Sequence, residues 1–167
     1  MAAKKASKKS SKPARARKNA PARPKVAAPK KGGSLALQSS SPSFTVNDLE
    51  KSTAWYRDVL GFAIEETWKD DGGKVMGVSL KAGDVSFMIG QDDWKKGRDR
   101  NKGEGFRIYC ATKMNVDTLA ERIQAKGGRL DSGPTDQPWG VRDISVTDPD
   151  GFKITIAVEK RGTQKSA

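Results

Sequence analysis

One pattern occurs twice along this chain and constrains its fold more than anything else. It is a short apolar strand, a polar cap, an amphipathic helix closed by glycine, and then three further strands. In the first copy Ser43–Val46 reads as the strand and Asn47-Asp48 as the cap. Leu49, Thr53, Tyr56 and Leu60 recur at helical spacing, and Gly61 closes the helix. Strands follow at Phe62–Trp68, Val75–Lys81 and Val85–Ile89, with turns at Asp71-Gly72-Gly73 and Ala82-Gly83-Asp84. In the second copy Phe106–Ala111 is the strand and Asn115 the cap; Val116, Leu119 and Ile123 make the stripe, and Gly127-Gly128 stops it. Asp48 and Asn115 lie 67 residues apart, and Gly61 and Gly127 lie 66 apart, which marks an internal duplication. Neither copy has enough apolar residues for a core of its own, so the two must share one.

The second copy ends on the clearest strand pair of the chain. A short strand begins over Arg129–Asp131. Then Val141, Asp143, Ser145 and Thr147 alternate with Arg142, Ile144 and Val146, and Phe152, Ile154 and Ile156 alternate with Lys153, Thr155 and Ala157. Between the two runs, Asp148-Pro149-Asp150-Gly151 has strong turn chemistry, because proline presets φ and glycine accepts a left-handed conformation. Period-two patterning on both sides of a turn predicts a hairpin with one buried face. Residues 92–105 are polar and mixed in sign, and read as an exposed connector whose one large ring, Trp94, is either a lid or an anchor.

Charge divides the chain differently. Residues 1–33 contain Lys4, Lys5, Lys8, Lys9, Lys12, Arg15, Arg17, Lys18, Arg23, Lys25, Lys30 and Lys31 and no acid. The remainder balances, so the whole net charge of +12 belongs to this segment. With one valine and no aromatic it cannot offset its ordering entropy, and it is expected to be disordered. Its unopposed cations suit non-specific, salt-dependent binding to nucleic acid. Residues 34–41 then form a linker, residues 42–160 the folded domain and 161–167 a short tail. No run is long and apolar enough to span a membrane, and the N-terminus has no apolar signal core, which predicts a cytoplasmic protein, nucleoid-associated through its tail, with no membrane partner.

Several chemistries are excluded by residue type. The chain has no histidine, which rules out Ser/His and Cys/His nucleophile pairs. Its single cysteine, Cys110, sits in an apolar run and reads as a small buried hydrophobe. Glu65 and Glu66 are adjacent on a strand and are expected on opposite faces, so they do not form a dyad.

The α+β pattern of two βαβββ modules, with VNDLEKSTAWYRDVLGF opening it, NVDTLAERIQAKGG between and WGVRDISVTDPDGFKITI closing it, resembles the vicinal oxygen chelate superfamily. That is the glyoxalase, bleomycin resistance protein and dioxygenase fold. The resemblance implies a cleft on the curved sheets. It also implies four metal-ligand positions, which fall here on Ser41, Phe87, Phe106 and Thr155; a register shift of one would give Ser86 or Arg107. None is a ligand of the right kind, and with no histidine no cofactor is expected. The resemblance then points to the metal-free branch, which implies a homodimer that binds a flat or hydrophobic small molecule. Trp68, Phe87, Phe106, Trp139, Arg142 and Thr155 are the expected cleft residues, Arg142 as the charged anchor. Two other readings are a lyase or dioxygenase with a rearranged site built on Asp143, Glu65 and Glu66, and a nucleic-acid-associated scaffold.

Overall fold

A computed structural model describes residues 39–160. The readings of the basic tail, of most of the linker and of residues 161–167 fall outside them. Eight strands and two helices follow the duplicated order: β1 (Ser43–Val46), α1 (Leu49–Trp55), β2 (Ala63–Lys69), β3 (Val75–Ala82) and β4 (Val85–Gln91), then β5 (Arg107–Thr112), α2 (Val116–Ala125), β6 (Leu130–Asp136), β7 (Val141–Thr147) and β8 (Lys153–Glu159). Each module forms one four-stranded sheet, ordered β1-β4-β3-β2 and β5-β8-β7-β6. Within each, the first strand pairs in parallel with the last and the other pairs are antiparallel. No helix among the described residues is long and apolar enough to cross a membrane.

The helices start where short polar side chains satisfy their free amides. Asp48 accepts from the Lys51 amide at 3.0 Å, and Asn115 accepts from Asp117 and Thr118 at 2.8 and 3.2 Å. The helical segment ends at Gly61, at φ 83°, but its last turn, Tyr56–Leu60, is a π-helix rather than an α-helix. β6 runs further than the expected Arg129–Asp131. Gly133 and Pro134 suggest a break, but β6 is an edge strand, where a missing amide donor is tolerated, and its register shifts just before them and again across them.

The modules share one core, as their sizes require. Phe44, Tyr56, Phe62 and Phe87 of the first module meet Ile108, Ile144, Ile154 and Phe152 of the second in a single apolar cluster. Phe44 and Phe152 pack at a tilt with ring centroids 4.2 Å apart. The acids of the Asp148–Gly151 turn do more than shape it. Asp148 accepts from the Tyr56 hydroxyl at 2.9 Å, and Asp150 accepts from the Asn47 amide at 2.7 Å and the Ser52 hydroxyl at 3.0 Å. They therefore fasten α1 to the far module. The connector is fastened there too: the buried Lys102 ammonium lies 2.5 Å from Asp92 and 3.9 Å from Asp150, and Arg100 also pairs with Asp92. Those cations, with the Trp94 amide, hold the Asp92 carboxyl well below its usual range. Trp94 is itself packed under Arg98 of the same connector, with the guanidinium carbon 4.0 Å from the ring centre.

Candidate functional site

Strand parity sorts the expected site residues that lie on strands onto one face or the other. In the first sheet Val78, Leu80, Phe87 and Ile89 pair across β3 and β4 and are fully or nearly buried. In the second, Ile144 and Val146 pair with Ile156 and Ile154 on the core side. Side chains of the intervening residues point to the opposite, helix-free face of each sheet.

Two expectations are corrected by this parity. Phe87 is 0 % exposed and lies 4.9 Å from Phe62 and 6.1 Å from Tyr56 between ring centroids, so it is a core residue and not part of a cleft. Its neighbour Ser86 takes the helix-free phase and shares a 2.7 Å hydrogen bond with Ser41. Arg142 lies in the phase of Ile144, on the helix side. It holds Asp117, at the start of α2, through two bonds of 2.7 and 3.0 Å, and Asp136 through one of 2.9 Å. The Arg142 bonds push the Asp117 carboxyl down and the guanidinium up, while Asp136 is held down first by Lys160 and then by Arg142, and the cation is a structural clamp. The Glu65–Glu66 expectation also fails locally. A bulge at Glu65 interrupts the alternation, so Glu65 reaches Lys81 at 2.9 Å and Ser79 at 3.4 Å while Glu66 stands opposite Ser79.

The helix-free face of the second sheet gathers a different set. Thr155 is buried on β8, and its hydroxyl accepts from Arg107 Nη1 at 2.7 Å. Ser145, opposite Thr155 in the register, lies 3.2 Å from it and 3.4 Å from the same nitrogen. Tyr109 follows Arg107 at the next position of the same face and is 56 % exposed. Phe106 precedes β5, meets Phe152 edge-on at 6.0 Å and stays 43 % exposed. Phe106 and Arg107 open onto a depression of about 460 Å³ that is also lined by Lys153, Glu104, Asn101 and three glycines. Further along this face, Gln137 donates to the buried Asp143 at 2.9 Å.

Trp139 and Trp68 are not part of this group. Trp139 lies between β6 and β7, beside the Val141–Glu159 pair, six residues along β8 from the Arg107–Lys153 pair and roughly 20 Å away. Trp68 lies on the edge strand of the other sheet, its ring 3.0 Å from where a Cβ on Gly77 would stand. A groove of about 580 Å³ exists on the first module, between α1 and Ile64, Thr67 and Val78, on the helix side. Cys110 packs against the core, and burial pushes its thiol up.

With parity applied, the four positions marked by the family resemblance present Ser41, Ser86, Arg107 and Thr155 to the helix-free faces. This donor set does not fit a divalent ion: three neutral hydroxyls and a guanidinium offer no imidazole, thiolate or carboxylate. Among the described residues no group of three or more His, Cys, Asp or Glu comes together anywhere. Arg107 was within reach of sequence reasoning, since GFRIYC alternates Arg107 and Tyr109 with the apolar Phe106, Ile108 and Cys110.

The fold and this face define a class. The family model of the Glyoxalase/Bleomycin resistance protein/Dioxygenase superfamily matches residues 39–156, and the chain belongs to that superfamily. Among solved structures it resembles TioX from Micromonospora sp. ML1, at 19 % identity and a TM-score of 0.58 over 72 % of this chain and 99 % of that one. A glyoxalase/bleomycin resistance protein/dioxygenase from Nocardioides has 18 % identity and a TM-score of 0.59, over 80 % of this chain and 91 % of that one. Virulence protein STM3117 from Salmonella typhimurium has 21 % identity and a TM-score of 0.58, over 75 % and 99 %. At these identities the likeness is one of fold. A comparison with curated proteins finds no match.

Proposed function

We propose that this chain is a metal-independent ligand-binding member of its superfamily. It takes a small molecule with a flat apolar part on the helix-free face of the second sheet. The observation that carries this reading is the guanidinium of Arg107 on Thr155, at a position where the superfamily resemblance marks a metal ligand. A divalent ion bound to Thr155 Oγ1 would lie within about 5 Å of that cation. The repulsion is about 2 kcal/mol at the dielectric of water and about 7 at an effective dielectric of 20. Exposed rings at Phe106 and Tyr109 supply surface for the flat part.

Metal independence is tested by thermal unfolding of the full chain in EDTA and then with Zn²⁺, Ni²⁺, Co²⁺, Mn²⁺ or Fe²⁺ in excess. A specific ion at 100 times its dissociation constant adds about 2.7 kcal/mol, a shift of several degrees. The expected result is no specific shift with any of them. A clear shift with one ion returns the reading to a lyase or dioxygenase with a rearranged site.

The basic segment, in this proposal, holds the protein on nucleic acid by counterion release, and the chain acts as a homodimer. The apolar residues exposed on β2 and β3, namely Ile64, Trp68, Val75 and Met76, support the second point.

A further inference from the structure

Arg107 differs from the arginines whose charge is matched by an acid. Arg57, Arg100 and Arg142 each hold an aspartate. Among the described residues no carboxylate lies within ion-pair distance of Arg107; two hydroxyls steer its Nη1 instead, at 2.7 and 3.4 Å. Hydroxyls orient a guanidinium without neutralising it, so its full charge and its remaining N–H donors stay available. Lys153 stands directly across the β5–β8 register and lines the same depression. Among the lining residues Glu104 is the one carboxylate against these two cations. Phe106 completes the lining, with 43 % of its surface open.

We infer that the ligand of this depression is an aromatic oxyanion: a carboxylate, sulfonate or phosphate ester on a flat ring system. Its oxygens are held by Arg107 and Lys153, and its ring lies against Phe106. The inference rests on the helix-free face being the ligand site, and it adds the charge and chemical class of what binds there. A depression of about 460 Å³ suits a molecule of one or two fused rings. A fork of N–H donors matches the paired oxygens of an oxyanion better than it matches a hydroxyl or an amine, and the amine is repelled.

The test is calorimetric titration of the full chain with three probes that share one ring system: naphthoate, naphthalenemethanol and naphthylmethylammonium. Naphthoate should bind most tightly, and Arg107→Gln should weaken it by about tenfold to a hundredfold, with Arg107→Lys between. The basic tail is the same in every variant, so its own attraction for anions cancels in the comparison. Lys153→Gln provides a second reading should Arg107→Gln fail to fold, and it should also weaken naphthoate alone. If naphthoate and naphthalenemethanol bind alike and neither substitution matters, the anion inference is overturned while the ligand site stands. If none of the three binds, both readings fall.

Discussion

Tyr56→Phe removes one hydroxyl and tests how the two modules are held together. Tyr56 is fully buried, and its hydroxyl is the donor to Asp148 Oδ2; Oδ1 already takes the amides of Phe152 and Asp150 at 2.8 and 2.9 Å. A hydrogen bond to a charged group contributes about 1.5–3 kcal/mol, so the substitution should cost about 2 kcal/mol near neutral pH. For a domain of this size that lowers the melting temperature by about 6–10 °C.

The cost also depends on pH, in a direction that a simple packing defect would not give. Burial raises the Asp148 carboxyl above its ordinary 3.8, against the pull of the Phe152 amide and the Tyr56 hydroxyl. The folded state therefore keeps this proton longer than the unfolded chain, and stability falls as pH rises from 3.8 through the raised folded value. Without the Tyr56 hydroxyl the carboxyl goes higher still and the window widens upward. The loss caused by Tyr56→Phe should thus be smallest below the ordinary carboxylate range and grow toward neutrality. Urea unfolding of both proteins across that range measures it. A loss below about 0.5 kcal/mol at neutral pH, or one of equal size at every pH, would refute the reasoning.

Three further outcomes are expected. Gly103→Ala would place a Cβ 1.8 Å from the Gly151 carbonyl oxygen, which only a backbone shift can relieve; it should lower the melting temperature and weaken naphthoate, and an unchanged protein would mean the connector is not seated there. A DNA mobility shift should weaken steeply with salt and vanish when residues 1–33 are deleted, with melting unchanged as the control; persistence after deletion removes the tether. Sedimentation should give twice the chain mass, reduced by Ile64→Lys on the exposed β2; a monomer at every concentration removes the dimer.

Much of this architecture is legible in the sequence because caps and periodicity are local. Asp48, Asn115, Gly61 and the 148–151 turn fall where short-range chemistry puts them. The site was legible only to within one residue, and in a strand one residue exchanges the faces. Phe87 is counted from a family spacing, whereas the facing residue beside it is Ser86; Phe106 precedes β5 and borders the depression beside Arg107. The bulge at Glu65 is set by pairing with β3 and has no signature of its own in Ile64-Glu65-Glu66. Arg142 is expected in the cleft and found on the helix side because its partner Asp117 is 25 residues away, on a helix that only tertiary packing brings near. The same holds for Lys102, whose polar surroundings in the sequence predict an exposed residue although its side chain is 2 % exposed.

The duplication shows where the two modules have diverged. On the core side the equivalent pairs are Phe44 with Ile89 and Ile108 with Ile154, apolar in both modules. On the helix-free side, Ser43 with Met88 corresponds to Arg107 with Lys153, and Thr45 with Gly90 to Tyr109 with Thr155. One sheet is thus neutral where the other carries two cations and an exposed ring. The core must keep its apolar volume for either module to fold, whereas the helix-free face is free to change. A chain with two equivalent sheets would therefore offer an oxyanion only one of them, and substitutions at Ser43 or Met88 should leave naphthoate binding untouched while those at Arg107 and Lys153 do not.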